Sequence, residues 1–265
     1  MLSGKNLYLL GYGDILRRVY HLQKPIANRI ITFSRNIDQH PEPENAIAAE
    51  LGTGRDWQLP HQDEQSVVIY TPTPSERSIA GYQQGYIKSC EELLGRLKPT
   101  TWLILVSSTR VYRGQQLSIV DDTTQPLAAD EFGQVLIDME ALVTANHANT
   151  IIVRPSGIYG RSTARWERLM EHPELTGNRL GNRIHADDLA RFLSFLIDKI
   201  PACKTNQFIV TDGEPASESQ VVDYLLGLTR DLPSEGIALQ ATALTKSGFE
   251  LHYPSYRKGL LALKR

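Results

Sequence analysis

The chain has little cysteine: Cys90 and Cys203 are the only two in 265 residues, and they stand far apart. A disulfide framework and a cysteine-ligated metal centre are therefore not expected, and no other metal site is read from the sequence. No run of 18 apolar residues exists, which argues against a membrane span or a membrane partner. The first apolar run starts by Leu7 and leaves no room for a signal peptide, so the expectation is a soluble cytoplasmic protein. Neither sign of charge dominates. Lys plus Arg is 28 and Asp plus Glu is 30, a net charge of −2, which argues against a nucleic-acid platform as the main role. Repeats, low-complexity tracts and long linkers are also missing. The hydrophobic fraction, 41%, is enough for a sizeable core and excludes wholesale disorder.

What is present is an alternation. Six short apolar runs, Asn6–Leu10, Arg29–Phe33, Ser66–Tyr70, Thr101–Val106, Thr150–Val153 and Gln207–Val210, are rich in β-branched and aromatic residues and do not alternate with polar ones. Strands of a parallel sheet read this way when both faces are covered. Between them lie helical stripes: Ile79, Tyr82, Tyr86, Cys90, Leu93 and Leu97; Phe132, Val135, Leu136, Met139, Leu142 and Val143; Leu189, Phe192, Leu193, Leu196 and Ile197. Ser217 and Gln220 have the spacing of a capping box, opening a helix that carries Val221, Val222, Leu225 and Leu226. The expected fold is α/β: a Rossmann-type, doubly wound parallel sheet with a small C-terminal substrate-binding subdomain. Residues 1–160 and 184–210 make the Rossmann-type domain in this division. Residues 161–183 and 211–265, rich in Pro, Gly and Arg, make the substrate-facing part.

The first run ends in Gly11-Tyr12-Gly13-Asp14-Ile15-Leu16. Two glycines there let the chain turn tightly and bring backbone amides near a diphosphate, with the positive end of the next helix aimed at it. The third glycine of the G-x-G-x-x-G pattern is replaced by Leu16; that position serves helix–sheet packing more than phosphate contact. A tight strand-to-helix turn with nothing bound is the bland alternative. About 20 residues on, where an acidic residue would hold the ribose of NAD, the chain reads Ser34-Arg35. A guanidinium suits a 2′-phosphate, so NADP is preferred over NAD, unless Arg35 is only a solvated charge. The cofactor set is Gly11, Tyr12, Gly13, Asp14, Ile15, Ser34 and Arg35, with Thr71, Pro72, Ser107 and Pro155 at the carboxyl ends of later runs.

Four later segments share one resemblance. Val106-Ser107-Ser108-Thr109-Arg110-Val111-Tyr112, Arg154-Pro155-Ser156-Gly157-Ile158-Tyr159-Gly160, Arg183-Ile184-His185-Ala186-Asp187-Asp188-Leu189-Ala190 and Phe249–Arg257 are similar, in order, to segments of the extended short-chain dehydrogenase/reductases. The chain most resembles their atypical branch, the NAD-dependent epimerase/dehydratase-like proteins of the YeeZ type. The resemblance implies an NAD(P)-binding oxidoreductase or epimerase-like enzyme acting on a small molecule. It also implies a homodimer through the helices at 79–97 and 132–146.

The same resemblance exposes a loss. Redox-active relatives carry Tyr-x-x-x-Lys on the helix before the fifth run, and here Phe132 and Leu136 stand in those places. Neither can move a proton, work worth ~10²–10⁴-fold in rate. Ser108 and Tyr159 are the catalytic candidates that remain; Tyr159 is preferred as donor because Arg161 follows two residues on. His185 is read as structural, with Asp187 as the cap of the next helix. Arg161, Arg165, Trp166 and Arg183 form the substrate-side set, and guanidiniums beside an indole point to an anionic substrate, with a sugar derivative in view. The alternative is a catalytically inactive NADP-binding regulator.

Overall fold

A computed structural model of the chain describes residues 4–37, 40, 42–230 and 234–263. Its strands are β1 (Asn6–Leu10), β2 (Arg29–Ser34), β3 (Ala46–Ala48), β4 (Ser66–Tyr70), β5 (Trp102–Val106), β6 (Ile119–Asp121), β7 (Thr150–Pro155), β8 (Gly157–Tyr159), β9 (Arg183–His185), β10 (Gln207–Val210) and β11 (Ala238–Gln240). Seven of them pair in one parallel sheet, in the order β10-β7-β5-β4-β1-β2-β3. The order reverses between β1 and β4, and a crevice at the carboxyl ends of such a reversal is where ligands of open α/β sheets bind. The fold is the Rossmann-type α/β sheet that the alternation implies. Two further parallel pairs, β6 with β11 and β8 with β9, lie outside the main sheet.

Alternate residues of each strand point to opposite faces. Leu7 and Leu9 join one core layer, Tyr8 and Leu10 the other. The first layer is closed by α1 (Asp14–Gln23) and, further along the chain, by the helix carrying Leu189, Phe192, Leu193 and Leu196. The second is closed by the stretch from α2 (Ile79–Tyr82) to α3 (Ser89–Leu94) and by α4 (Glu131–Asn146). Each large side chain buried in these layers contributes about 1.5–3 kcal/mol. The expected helix over 79–97 is not uniform: between α2 and α3 its turns at Gln83–Lys88 widen to a π-helix. Gly85 explains the path, since a Cβ there would collide with the Thr73 carbonyl and with Pro74.

The remaining helices are α5 (Ala164–Glu171), α6 (Ala186–Lys199), α7 (Glu218–Leu226), α8 (Thr242–Lys246) and α9 (Tyr256–Leu263). The Ser217–Gln220 capping box does open α7. At α6 the cap is His185, whose Nδ1 accepts the Asp187 amide, and Asp187 itself pairs with Arg18 of α1. A third apolar cluster gathers Tyr159, Trp166, Leu169, Val221, Val222, Tyr256 and Leu260 beyond the sheet edge.

Two carboxylates fasten the last part of the chain. Asp188, fully buried, accepts the amides of His252 (2.9 Å) and Tyr253 (2.7 Å) and is paired with Arg191. Asp122 accepts the amides of Ile209 (2.5 Å) and Ala243 (2.8 Å). Among the described residues no helix is long and apolar enough to cross a membrane, and no group of three or more His, Cys, Asp or Glu could hold a metal ion.

Candidate functional site

A cleft of about 530 Å³ opens at the carboxyl ends of β1, β2, β4 and β5. Its floor is the bend that follows β1. Gly11 has φ +79°, and a Cβ there would stand 2.6 Å from the Thr71 carbonyl oxygen, so only glycine fits without strain. The Thr71 hydroxyl closes the bend by donating to the Gly11 carbonyl (2.8 Å). Gly13 is different. A Cβ there would meet nothing nearer than the Gly11 carbonyl at 3.8 Å, so its open face looks into the cleft.

The bend's own amides are spent: those of Gly11 and Tyr12 go to the Phe33 carbonyl, and that of Gly13 goes to the Gly11 carbonyl. The free donors are one step on. Asp14, Ile15 and Leu16 are the first turn of α1, whose amides have no carbonyl behind them to reach. Gly13 is the cap and has no side chain to cover them. Together with the helix dipole this is a seat for an anion. Leu16, at the third motif position, is fully buried under α1 in the helix–sheet contact.

The other walls are built from Tyr12, Arg35, Pro72, Gln84, Ser107 and Pro155. Tyr12 is buried, its ring 4.5 Å from His40; burial pushes the phenol up to about 12, and its hydroxyl has no partner among the described residues. Ser34 lines the cleft, but its hydroxyl donates to the Asn36 carbonyl (2.6 Å) and lies 2.8 Å from His40 Nε2. Arg35 is exposed at the rim, and no described residue bonds its guanidinium. Ser107, at the end of β5, is the most telling: the residue lines the cleft, and its buried Oγ makes no hydrogen bond among the described residues. A buried hydroxyl left unpaired costs about 1–3 kcal/mol, so something is expected to meet it.

Several residues singled out in the sequence go elsewhere. Ser108 does not line the cleft; its Oγ accepts the Arg110 amide (3.2 Å) and caps the short turn Thr109–Tyr112. Tyr159 is packed in the third cluster, its hydroxyl donating to the Ser255 carbonyl (3.3 Å), and burial raises its pKa. His185 lies between the Tyr159 and Tyr253 rings, at 5.1 and 4.0 Å, and burial lowers its pKa. Phe132 lies under the Arg110 guanidinium (5.2 Å) and beside Tyr82 (4.7 Å), while Leu136 is buried in the core. Arg161 changes sides: it lines the first cleft and pairs with Asp14 (3.3 Å), which also holds Arg18. Arg165 is tied to Glu218 on the surface. Trp166 is buried and serves as a platform for Arg183, 5.5 Å above its ring.

A second cavity, about 420 Å³, adjoins the first through the segments after β5 and β7. It is lined by Thr109, Arg113, Arg179, Asn182, Arg183 and Glu218, among others. Arg113 and Arg179 escape notice in the sequence because they sit 66 residues apart, in stretches with no pattern. Only the tertiary fold shows them together.

No family model matches the chain, and no curated relative matches it. Solved structures do. The chain is similar to a protein from Methylobacillus flagellatus assigned as an NAD-dependent epimerase/dehydratase, with 25% identity, 99% of this chain and 98% of that one covered, and a TM-score of 0.76. It shares its fold with dTDP-4-dehydrorhamnose reductase from Bacillus anthracis, solved with NADP (15% identity, 98% and 99% covered, TM-score 0.70). It also shares it with UDP-N-acetylglucosamine 4-epimerase from Methanobrevibacter ruminantium, solved with UDP-N-acetylmuramic acid (12% identity, 99% of each chain, TM-score 0.72). The resemblance to the epimerase/dehydratase-like short-chain dehydrogenase/reductases therefore extends over the whole chain.

Proposed function

We propose that the protein binds NAD(P), NADP in preference to NAD, in the first cleft and acts there as a reductase- or epimerase-type enzyme on an anionic small molecule held in the second cavity. The observation that carries this reading is the buried Ser107 hydroxyl, without a described partner, on a residue that lines the same cleft as the glycine bend. It marks where the nicotinamide half would lie, and Ser107 takes the place given to Ser108 in the sequence reading. The first-turn amides of Asp14, Ile15 and Leu16 would meet the diphosphate. Arg161 keeps the Asp14 carboxylate neutralised at that point. Arg35 would face the 2′-phosphate. Bound in this way, the nicotinamide would supply hydride transfer. The chain's own part is to seat it, keep water away and present a hydroxyl.

In this proposal residues 1–160 and 184–210 carry the cofactor, and 161–183 with 211–265 face the substrate. It includes a homodimer through the 79–94 helices and α4, which sedimentation reads directly.

The cofactor reading is tested by calorimetric titration with NADPH and NADH. The parent should bind NADPH more tightly. Arg35→Ala should weaken NADPH by about 10- to 100-fold, the worth of one charge-assisted contact, and leave NADH within about twofold. Equal losses for both coenzymes would remove Arg35 from that role, and binding of neither would remove the cofactor reading itself. A second reading, a coenzyme-binding regulator without turnover, is favoured by Phe132 and Leu136, which leave α4 without the Tyr and Lys of redox-active relatives. Tight NADPH binding with no turnover across aldehydes, ketones and sugar nucleotides would support it.

A further inference from the structure

The second cavity holds a buried guanidinium that no described carboxylate touches. Arg183 is only 7% exposed, and burial lowers its pKa; Asp212 and Glu218 attract it from a distance, but no described carboxylate lies within ion-pair reach. Its Nη1 donates to the carbonyls of Gly181 (2.8 Å) and Ala216 (2.5 Å), and Nε and Nη2 bond to nothing described. A buried guanidinium with no counter-ion in contact is costly unless a ligand supplies one. Trp166 and Tyr256 hold it at 5.5 and 5.9 Å, which fixes the fork but does not neutralise it.

Two more guanidiniums, of Arg113 and Arg179, line the same space; neither has a described hydrogen-bond or ion-pair partner, and Asp130 acts on Arg113 only from a distance. Burial and the charges of Arg110 and Arg179 pull the Arg113 pKa down. The one acid in the lining, Glu218, is engaged by Arg165. The neutral groups are occupied too. The Asn182 amide donates to the Ile237 carbonyl and its Oδ1 accepts the Leu239 amide, and the Thr109 hydroxyl donates to the Pro155 carbonyl. What the cavity has left to offer is cationic donors. A carboxylate would satisfy one fork; three forks match an ion with three free oxygens and two charges. The cavity also has no ring face for a base. Tyr112, its sole aromatic lining residue, is 1% exposed, with its hydroxyl held by Arg154.

We propose that the second cavity is a phosphomonoester site, in which Arg183, Arg113 and Arg179 grip the phosphate of a compact phosphorylated substrate rather than a nucleotide sugar. This deepens the anionic-substrate reading above and rests on it for the identity of the occupant. The phosphate is the fixed end of the ligand. The rest of the molecule would extend past Thr109 toward Ser107 and the first cleft.

The test is calorimetry at pH 8 with inorganic phosphate, glucose 1-phosphate, UDP-glucose and acetate, run with saturating NADP so that the helix α1 seat is filled. Glucose 1-phosphate should bind best, phosphate measurably, and acetate at least tenfold more weakly than phosphate. Arg179→Ala, an exposed position, should weaken glucose 1-phosphate at least tenfold, and Arg183→Met should abolish it. Both variants should bind NADPH as the parent does, which shows that they are folded. Tighter binding of UDP-glucose than of the monoester, or phosphate binding untouched by either variant or displaced by NADP, would overturn the proposal. If NADPH fails to bind the parent, the cofactor reading falls alone. The titrations then run on the bare protein, and the two arginine variants still decide this site.

Discussion

Asp212→Asn should make the protein more stable at pH 8 and leave it unchanged near pH 4. Asp212 follows β10, is 1% exposed, and has one oxygen, Oδ2, with no partner; Oδ1 accepts only the Glu214 amide at 3.3 Å. Burial pushes its carboxyl up to about 7 from the ordinary 3.8; the Glu214 amide and the Arg183 charge oppose this, and the Glu214 and Asp188 charges add to it. The folded state therefore keeps a proton that the unfolded chain gives up between about pH 4 and 7. The stabilisation that comes from this raised affinity is complete below the unfolded value and is lost as pH rises through the folded one. Each tenfold change in proton affinity is worth about 1.4 kcal/mol, so the loss over this window is a few kcal/mol. Asparagine has the same shape and no charge to bury. Urea unfolding at pH 4 and pH 8 reads the difference. A gain of equal size at both values would mean that the carboxylate charge is not the cause.

Arg154→Met should cost about 3–5 kcal/mol, the usual penalty for stranding one partner of a buried ion pair. Arg154 leaves β7 and meets Glu140 of α4, Nε at 3.1 Å from both carboxylate oxygens and Nη2 at 2.6 Å from Oε2. Its Nη1 donates to the Tyr112 hydroxyl at 2.5 Å. Both side chains of the pair are buried, so Glu140 alone would face the core as an uncompensated charge. The double variant Arg154→Met/Glu140→Leu should recover most of the loss, because nothing ionic is then left inside. Chemical unfolding of the two variants settles it: a double variant worse than the single would show that the pair itself, rather than the stranded acid, holds β7, α4 and the 109–112 turn together.

The sheet was legible because its strands are short apolar runs, and those runs became β1, β2, β4, β5, β7 and β10. β3 was not, since Ala46–Ala48 is three residues long in a stretch of Pro and Glu, with no run to see. β8 and β9 were hidden because their pairing depends on chain brought back from 26 residues away. The glycine bend could be read because its conformation is local. The helical stripe at 79–94 could be read as helix but not as a widened turn, because the apolar spacing is the same and only the collision at Gly85 reveals the path. Side-chain roles were the least legible. Arg161 reads as substrate-side from its position, yet the chain doubles back and sets it against Asp14. Ser107 and Ser108 are indistinguishable in sequence, but strand alternation buries one against the cleft and leaves the other to cap a turn.

The carboxylate of Asp188 reaches forward 64 and 65 residues for its two amide donors. While the chain is being made, α6 can wind and cover its face of the sheet, but that acid has only Arg191 of its own helix until residues 252 and 253 are released. Domains usually settle in the order they are synthesised; here the final lock closes at the other end. A message cut short just ahead of residue 252 would therefore yield a protein with nearly every strand and helix and a buried carboxyl short of two donors, a natural target for quality control.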